Sequence, residues 1–386
     1  MWGRATWFLQ CEMASDPDQT AFDEAQPDSV ASTLAGLVRR EIARNGGWLP
    51  FDRFMALALY QPGLGYYANH SRKFGAMPAS GSDFVTAPEL SPLFARALAV
   101  QMAQALKSCA NGRVIEFGAG SGALAAGLLD ALGSAVTDYA IVDLSGVLRE
   151  RQRVRLARFG NRVRWLDALP DQFDGVVLGN ELLDAMPVQL LHFDGTRWFE
   201  RGVASAGPGL VWQDRPTDLR PPFASDFVPG TVTEVHPQAE AFITTLASML
   251  RRGVAIFIDY GFPEAEYYLP QRHGGTLMCH QAHRADADPL VELGAKDITA
   301  HVNFSGIALA AQDAGLDVIG YTSQARFLIN CGLVALMEGA SLAERTMAQK
   351  LVNEHEMGEL FKVIAFARGL EIDPLGFAQG DRTHRL

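Results

Sequence analysis

Glu116, Gly118, Gly120 and Gly122 stand in the stretch Val-Ile-Glu-Phe-Gly-Ala-Gly-Ser-Gly, residues 114–122, where an apolar run meets an acid and breaks into glycines. A buried strand that ends this way and opens a helix is a means of holding a nucleoside-bearing cofactor. Glycine removes the Cβ atoms that would keep backbone away from a ligand, and it lets the chain turn sharply. The acid sorts the candidates. A pyrophosphate is repelled by a carboxylate here, whereas S-adenosylmethionine brings an ammonium and a sulfonium. Residues 118–123 also fit the dinucleotide pattern G-x-G-x-x-G/A, and a plain structural turn looks the same, so this segment alone leaves three readings open.

Other acids fall where a doubly wound sheet gathers ligand-binding residues, at the carboxyl ends of its strands. Asp143 follows the glycine loop by roughly 20 positions, the distance at which an acid meets ribose hydroxyls; the competing reading is a cap for a helix starting near Ser145. Asp167, after the next strand, is placed to meet the adenine amino group or to sit as a solvated loop residue. Asn180, Glu181 and Asp184 crowd the mouth of a fourth apolar run, where unpaired polar groups are costly. If 181–185 forms one helical turn, Glu181 and Asp184 share a face and can grip a guanidinium, with a simple surface turn as the alternative. Asp259 ends a fifth run as a reserve carboxylate. His301, in Asp297–Phe304, is placed to take a proton, to orient a substrate, or to serve as a structural histidine. The segment 81–89, with Thr86 and Glu89, precedes the core and is either a lid that folds over the cofactor and binds it or a plain loop.

These residues need a scaffold, and the chain supplies one. From residue 113 short apolar runs alternate with helical patterns, which predicts an α/β fold with a mostly parallel sheet wound on both faces. Strands are expected at 113–117, 138–143, 162–166, 174–179, 254–258, 316–321 and 362–366. Residues 1–28 read as a disordered leader, 29–108 as a helical lid region, and 109–386 as the catalytic domain. Insertions are expected at 187–235 (β-hairpins), 260–300 (a long loop) and 324–356 (helical). With 386 residues, 48% of them hydrophobic and 20% charged, the chain has material for this core. A net charge of −11 argues against a nucleic-acid partner. Cys11, Cys109, Cys279 and Cys331 are scattered, so no zinc site, other metal centre or disulfide framework is expected. No apolar run has the ~20 residues of a membrane span.

Seven segments then occur in order: GYY (65–67), GSDFVTAPELSPLF (81–94), EFGAGSG (116–122), GNELLDAMPV (179–188), DYG (259–261), GTL (275–277) and DITAHVNF (297–304). Together they resemble the MidA family, which includes a mitochondrial complex I assembly factor that is a protein arginine methyltransferase. The resemblance covers residues from about 33 to 367. It implies a seven-stranded class I, Rossmann-like methyltransferase fold and S-adenosylmethionine binding at Glu116, Gly118, Gly120, Gly122 and Asp143. It also implies that Asn180, Glu181 and Asp184 face the reaction site. Its expected partner is an arginine-containing protein such as a complex I subunit, with a homodimer as an expected assembly. A small-molecule methyltransferase and a cofactor-binding assembly factor that moves no methyl are the alternatives. The chain departs from the family pattern at Gly179, at Leu182-Leu183 and at Asn303. The acidic, polar leader lacks mitochondrial targeting character, which suggests a bacterial-type cytoplasmic member.

Overall fold

A computed structural model describes residues 27–69, 86–281 and 284–386. The central sheet is built from β1 (Arg113–Phe117), β2 (Asp138–Val142), β3 (Val163–Trp165), β4 (Phe173–Asn180), β5 (Leu250–Phe262), β6 (Asp317–Ser323) and β7 (Phe361–Arg368). Their spatial order is β6-β7-β5-β4-β1-β2-β3. Neighbours from β3 through β5 run parallel, and β7 lies antiparallel to both β5 and β6. The sequence therefore placed all seven strands, and the class I methyltransferase fold it predicts is the fold observed. Val302–Asn303 extends the sheet by pairing with the end of β5.

Unbroken apolar runs form the middle strands because both faces are covered. Val176, Val177 and Leu178 of β4 and residues 254–258 of β5 are fully buried. Helices Pro92–Cys109 and Ala123–Leu132 pack on one face with the helical segments before β7. Helices Pro237–Met249 and Phe304–Asp313 cover the other. This arrangement leaves the carboxyl ends of β1, β2, β4 and β5 facing a common crevice.

Two smaller units wall that crevice. Residues 187–235 form the expected hairpins: Gln189–Phe193, Trp198–Ala206, Gly209–Pro216 and Thr231–Val235 join Leu49–Pro50 in an antiparallel sheet. Helices Pro27–Arg44 and Phe51–Tyr60 share a core with it. Residues 260–300 differ from the expected long loop. Here β5 runs on to Phe262, a short helix spans Glu264–Tyr267, and Met278–Gln281, Arg284–Asp286 and Asp297–Thr299 make a three-stranded sheet. Strands of three or four residues are too short to carry a readable period.

Candidate active site

A cavity of about 550 Å³ opens at the crevice, between the ends of β1, β2, β4 and β5 and the three-stranded sheet. Gly118 and Gly120 line it with φ of +64° and +54°, backbone that side chains rarely tolerate. A Cβ on Gly118 would come within 3.0 Å of Leu182. Gly122, also left-handed, caps helix Ala123–Leu132 and does not reach the cavity.

Glu116 is 2% exposed, and its Oε2 accepts a 2.8 Å hydrogen bond from the Tyr139 hydroxyl. Burial pushes its carboxyl up to about 7, helped by nearby Asp143 and opposed by Tyr139. Asp143 faces the same cavity and is held from two sides. Its Oδ1 accepts from the Ser145 N–H at 2.9 Å and its Oδ2 from the Gln152 amide at 2.7 Å. The Gln152 amide nitrogen also donates to the Gly120 carbonyl, while its oxygen accepts from the Trp165 indole. Gln152 thus ties the glycine loop to Asp143, a role that one residue inside a helical pattern does not advertise in sequence.

Of the two readings of the acids after β4, the helical turn is not formed. Glu181 has φ of +51°, and residues 181–186 form a non-helical bend. Asp259 makes this bend. Its Oδ2 accepts from the N–H groups of Leu182 (3.0 Å), Leu183 (2.8 Å) and Asp184 (3.3 Å), and its Oδ1 from that of Tyr260. Asp259 is 1% exposed and does not line the cavity, so it is a scaffold carboxylate and not the reserve reactant expected from its place at a strand end.

Glu181 and Asp184 do line the cavity. Burial, with Asp184 adjacent, raises the Glu181 carboxyl to about 8, and burial raises Asp184 to about 6. The Tyr260 hydroxyl donates to Asp184 Oδ2, while Oδ1 is buried with no hydrogen-bond partner. The Asn180 amide nitrogen donates to Glu181 at 3.0 Å, and its oxygen is likewise buried and unpartnered. His301 lines the cavity, T-shaped against Tyr260 and tilted against Phe262. Burial, then Arg272 and Lys362, lowers it to about 4, so its imidazole is neutral near pH 7.

Of three further expected residues, one lines the cavity and two do not. Thr86 lines the cavity, but Glu89 turns away to accept from Ser121 and from Arg155 at 2.8 Å, fastening the Ala87–Leu90 turn to the glycine loop. Asp167 is 88% exposed in its side chain and pairs with Arg149 at 2.7 Å, the solvated reading of that residue. The front of the proposed lid, 81–85, lies outside the described residues. Sequence reasoning passed over Tyr60, Tyr67, Tyr260 and Asp297, all of which line the cavity. The GYY turn was the available signal for Tyr67.

Glu116, Asp143, Glu181, Asp184 and Asp297 line this cavity, and no lysine or arginine stands among its described lining residues. Acids of one sign suit a positively charged ligand and disfavour a pyrophosphate. The residues therefore fit S-adenosylmethionine better than a dinucleotide. Fold and site together define a class I S-adenosylmethionine-dependent methyltransferase.

Comparison with known proteins agrees. A family model described as "Putative S-adenosyl-L-methionine-dependent methyltransferase" matches residues 94–322, and the chain belongs to that family, the MidA-type enzymes its motifs resemble. A crystal structure of a Burkholderia thailandensis protein bound to S-adenosyl-homocysteine is 51% identical, with a TM-score of 0.90 over 95% of this chain and 100% of that one. Among curated relatives, the mitochondrial protein arginine methyltransferase NDUFAF7 of Danio rerio is 27% identical over 86% of each chain. Its Caenorhabditis elegans homologue is 24% identical over 88% of this chain and 89% of that one. No helix among the described residues is long and apolar enough to cross a membrane.

Proposed function

We propose that this methyltransferase acts on an arginine side chain of a protein partner. The observation that carries the reading is the acidic lining of the cavity, where Asp184, held through Oδ2 by Tyr260, stands beside Glu181. The names of the curated relatives support it. A respiratory complex I subunit is the partner that the family resemblance suggests, and a cytoplasmic location accords with Cys109, Cys279 and Cys331 being free thiols.

When bound, S-adenosylmethionine supplies an electrophilic methyl on a sulfonium, which leaves as the neutral thioether. Glu116 and Asp143, with the Gly118–Gly120 backbone, would hold it. Guanidinium is charged and delocalised at neutral pH, so its nitrogens attack poorly. Asp184 and Glu181 accept hydrogen bonds from it, draw positive charge toward themselves and align one nitrogen with the methyl. As the new nitrogen–carbon bond forms, that nitrogen loses a proton. Glu181 is held near 8 in the empty cavity and so carries a proton at neutral pH; the charge of the bound guanidinium displaces that proton, and the resulting carboxylate, more basic than His301 near 4, receives the one released in transfer. This moves the acceptor role from the histidine expected in the sequence to the acid, and leaves His301 as part of the cavity wall.

The test is transfer of labelled methyl from S-adenosylmethionine into bacterial lysate protein, followed by acid hydrolysis. Label in methylarginine supports the reading. Label confined to small molecules or to other amino acids contradicts it.

A further inference from the structure

Beside Glu181 and Asp184 the wall of the cavity is built from parts the mechanism does not use. Tyr60 closes helix Phe51–Tyr60, and Tyr67 follows it in the GYY turn. Their rings stack with centroids 5.6 Å apart and planes 19° from parallel, and both line the cavity. The Tyr60 hydroxyl donates to the Ala185 carbonyl at 2.7 Å, which buckles this aromatic pair onto the bend carrying Asp184. The Tyr67 hydroxyl donates to both carboxylate oxygens of Asp297, at 2.9 and 3.0 Å. Asp297 is 3% exposed and lines the cavity from the strand Asp297–Thr299. Burial raises the Tyr60 hydroxyl, and the charges it senses next are Asp297 and then Asp184, so acids flank the aromatic pair.

We infer that Asp297, held by Tyr67 and walled by Tyr60, contacts the methyl acceptor and selects a planar, delocalised cation over an ammonium. The inference rests on the cationic-acceptor reading above and names the residues that enforce it. A guanidinium is flat, carries donors along its edges, and has weakly hydrated faces that stack on aromatic rings. Asp184 meets one edge, Asp297 meets another, and Tyr60 with Tyr67 covers a face. An ammonium is compact and strongly hydrated, and it reaches one of these acids only by forgoing its water around the other. Tyr67 is the positioning residue, since it touches Asp297 through its hydroxyl and fixes where that carboxylate sits.

Calorimetry of the full chain loaded with S-adenosyl-homocysteine tests this, with butylguanidine and butylamine as probes of equal alkyl length. Wild type is expected to bind butylguanidine about tenfold or more tightly than butylamine, the size of one charge-assisted hydrogen bond. Asp297→Asn is expected to remove most of that preference while changing affinity for S-adenosyl-homocysteine by no more than about twofold. An unchanged preference in Asp297→Asn overturns the inference and leaves the arginine reading standing. Equal losses for both probes mark Asp297 as structural and also overturn it. A wild type without preference defeats both readings. Should Asp297→Asn not fold, Tyr67→Phe serves: a reduced preference supports the inference, and an unchanged one overturns it.

Discussion

The Tyr260 hydroxyl donates to Oδ2 of Asp184 at 2.5 Å, and Oδ1 of the same carboxylate remains a buried acceptor with no partner. One residue thus fixes how the carboxylate is oriented. Tyr260→Phe should free the carboxylate to rotate. We expect kcat to fall about tenfold or more, the worth of a hydrogen bond to a charged group, with affinity for S-adenosyl-homocysteine unchanged. Steady-state kinetics beside calorimetry checks this; an unchanged kcat would remove Tyr260 from the account.

Asp259 and Asp184 are neighbouring buried acids with opposite assignments. Asp259→Asn places an amide where the N–H groups of Leu182, Leu183 and Asp184 converge, and it should cost about 2–3 kcal/mol of stability, seen in denaturant unfolding. Asp184→Asn should abolish most methyl transfer with little loss of stability, because its free oxygen has no bond to lose. If the two variants exchange these behaviours, the division between scaffold and reactant is wrong.

Burial also writes a pH dependence into the fold. Glu116 at about 7, Glu181 at about 8, and Asp143 and Asp184 at about 6 all lie above their values in an unfolded chain. Between those values the folded chain binds more protons than the unfolded one, so this contribution is full below about pH 4 and is lost as pH rises through about 6 to 8. The thermal midpoint of ligand-free protein should therefore fall across that range. Glu181→Gln should flatten the upper part and be more stable than wild type near pH 8; a variant curve parallel to wild type would deny Glu181 its raised value.

The Gln152 amide bridges the Gly120 carbonyl and Asp143. Gln152→Ala should weaken binding of S-adenosyl-homocysteine by about tenfold, as a charged acceptor loses a donor and the loop loses a tie. Titration calorimetry decides it, and undiminished affinity would show that Asp143 is placed without Gln152.

The parts of the site legible in the sequence are those set by local rules. β1, the glycines after it and Asp143 follow from an apolar strand, a sharp turn and a fixed strand–helix–strand length. The fold was legible for the same reason, since buried parallel strands read as unbroken apolar runs. Asp259 was misread because its place at the end of β5 does not reveal that it faces backbone N–H groups of the β4 turn, 75 or more residues away in the chain. The same long-range pairing decided between the two readings of 181–185, against the helical turn. Asp297 and Tyr67 are 230 residues apart, and only the packed structure brings them together. The strands of 260–300 were missed because they are short and mixed in polarity, so that even the buried Asp297–Thr299 carries no readable period.

The central claim is that the cavity acids turn a guanidinium into a methyl acceptor. The most direct measurement is mass spectrometry of protein arginine methylation in cells expressing the wild-type chain or Asp184→Asn at equal levels, after deletion of the endogenous copy. The account predicts at least one methylarginine site present with wild type and absent with the variant. Identical methylarginine maps from the two strains would contradict it.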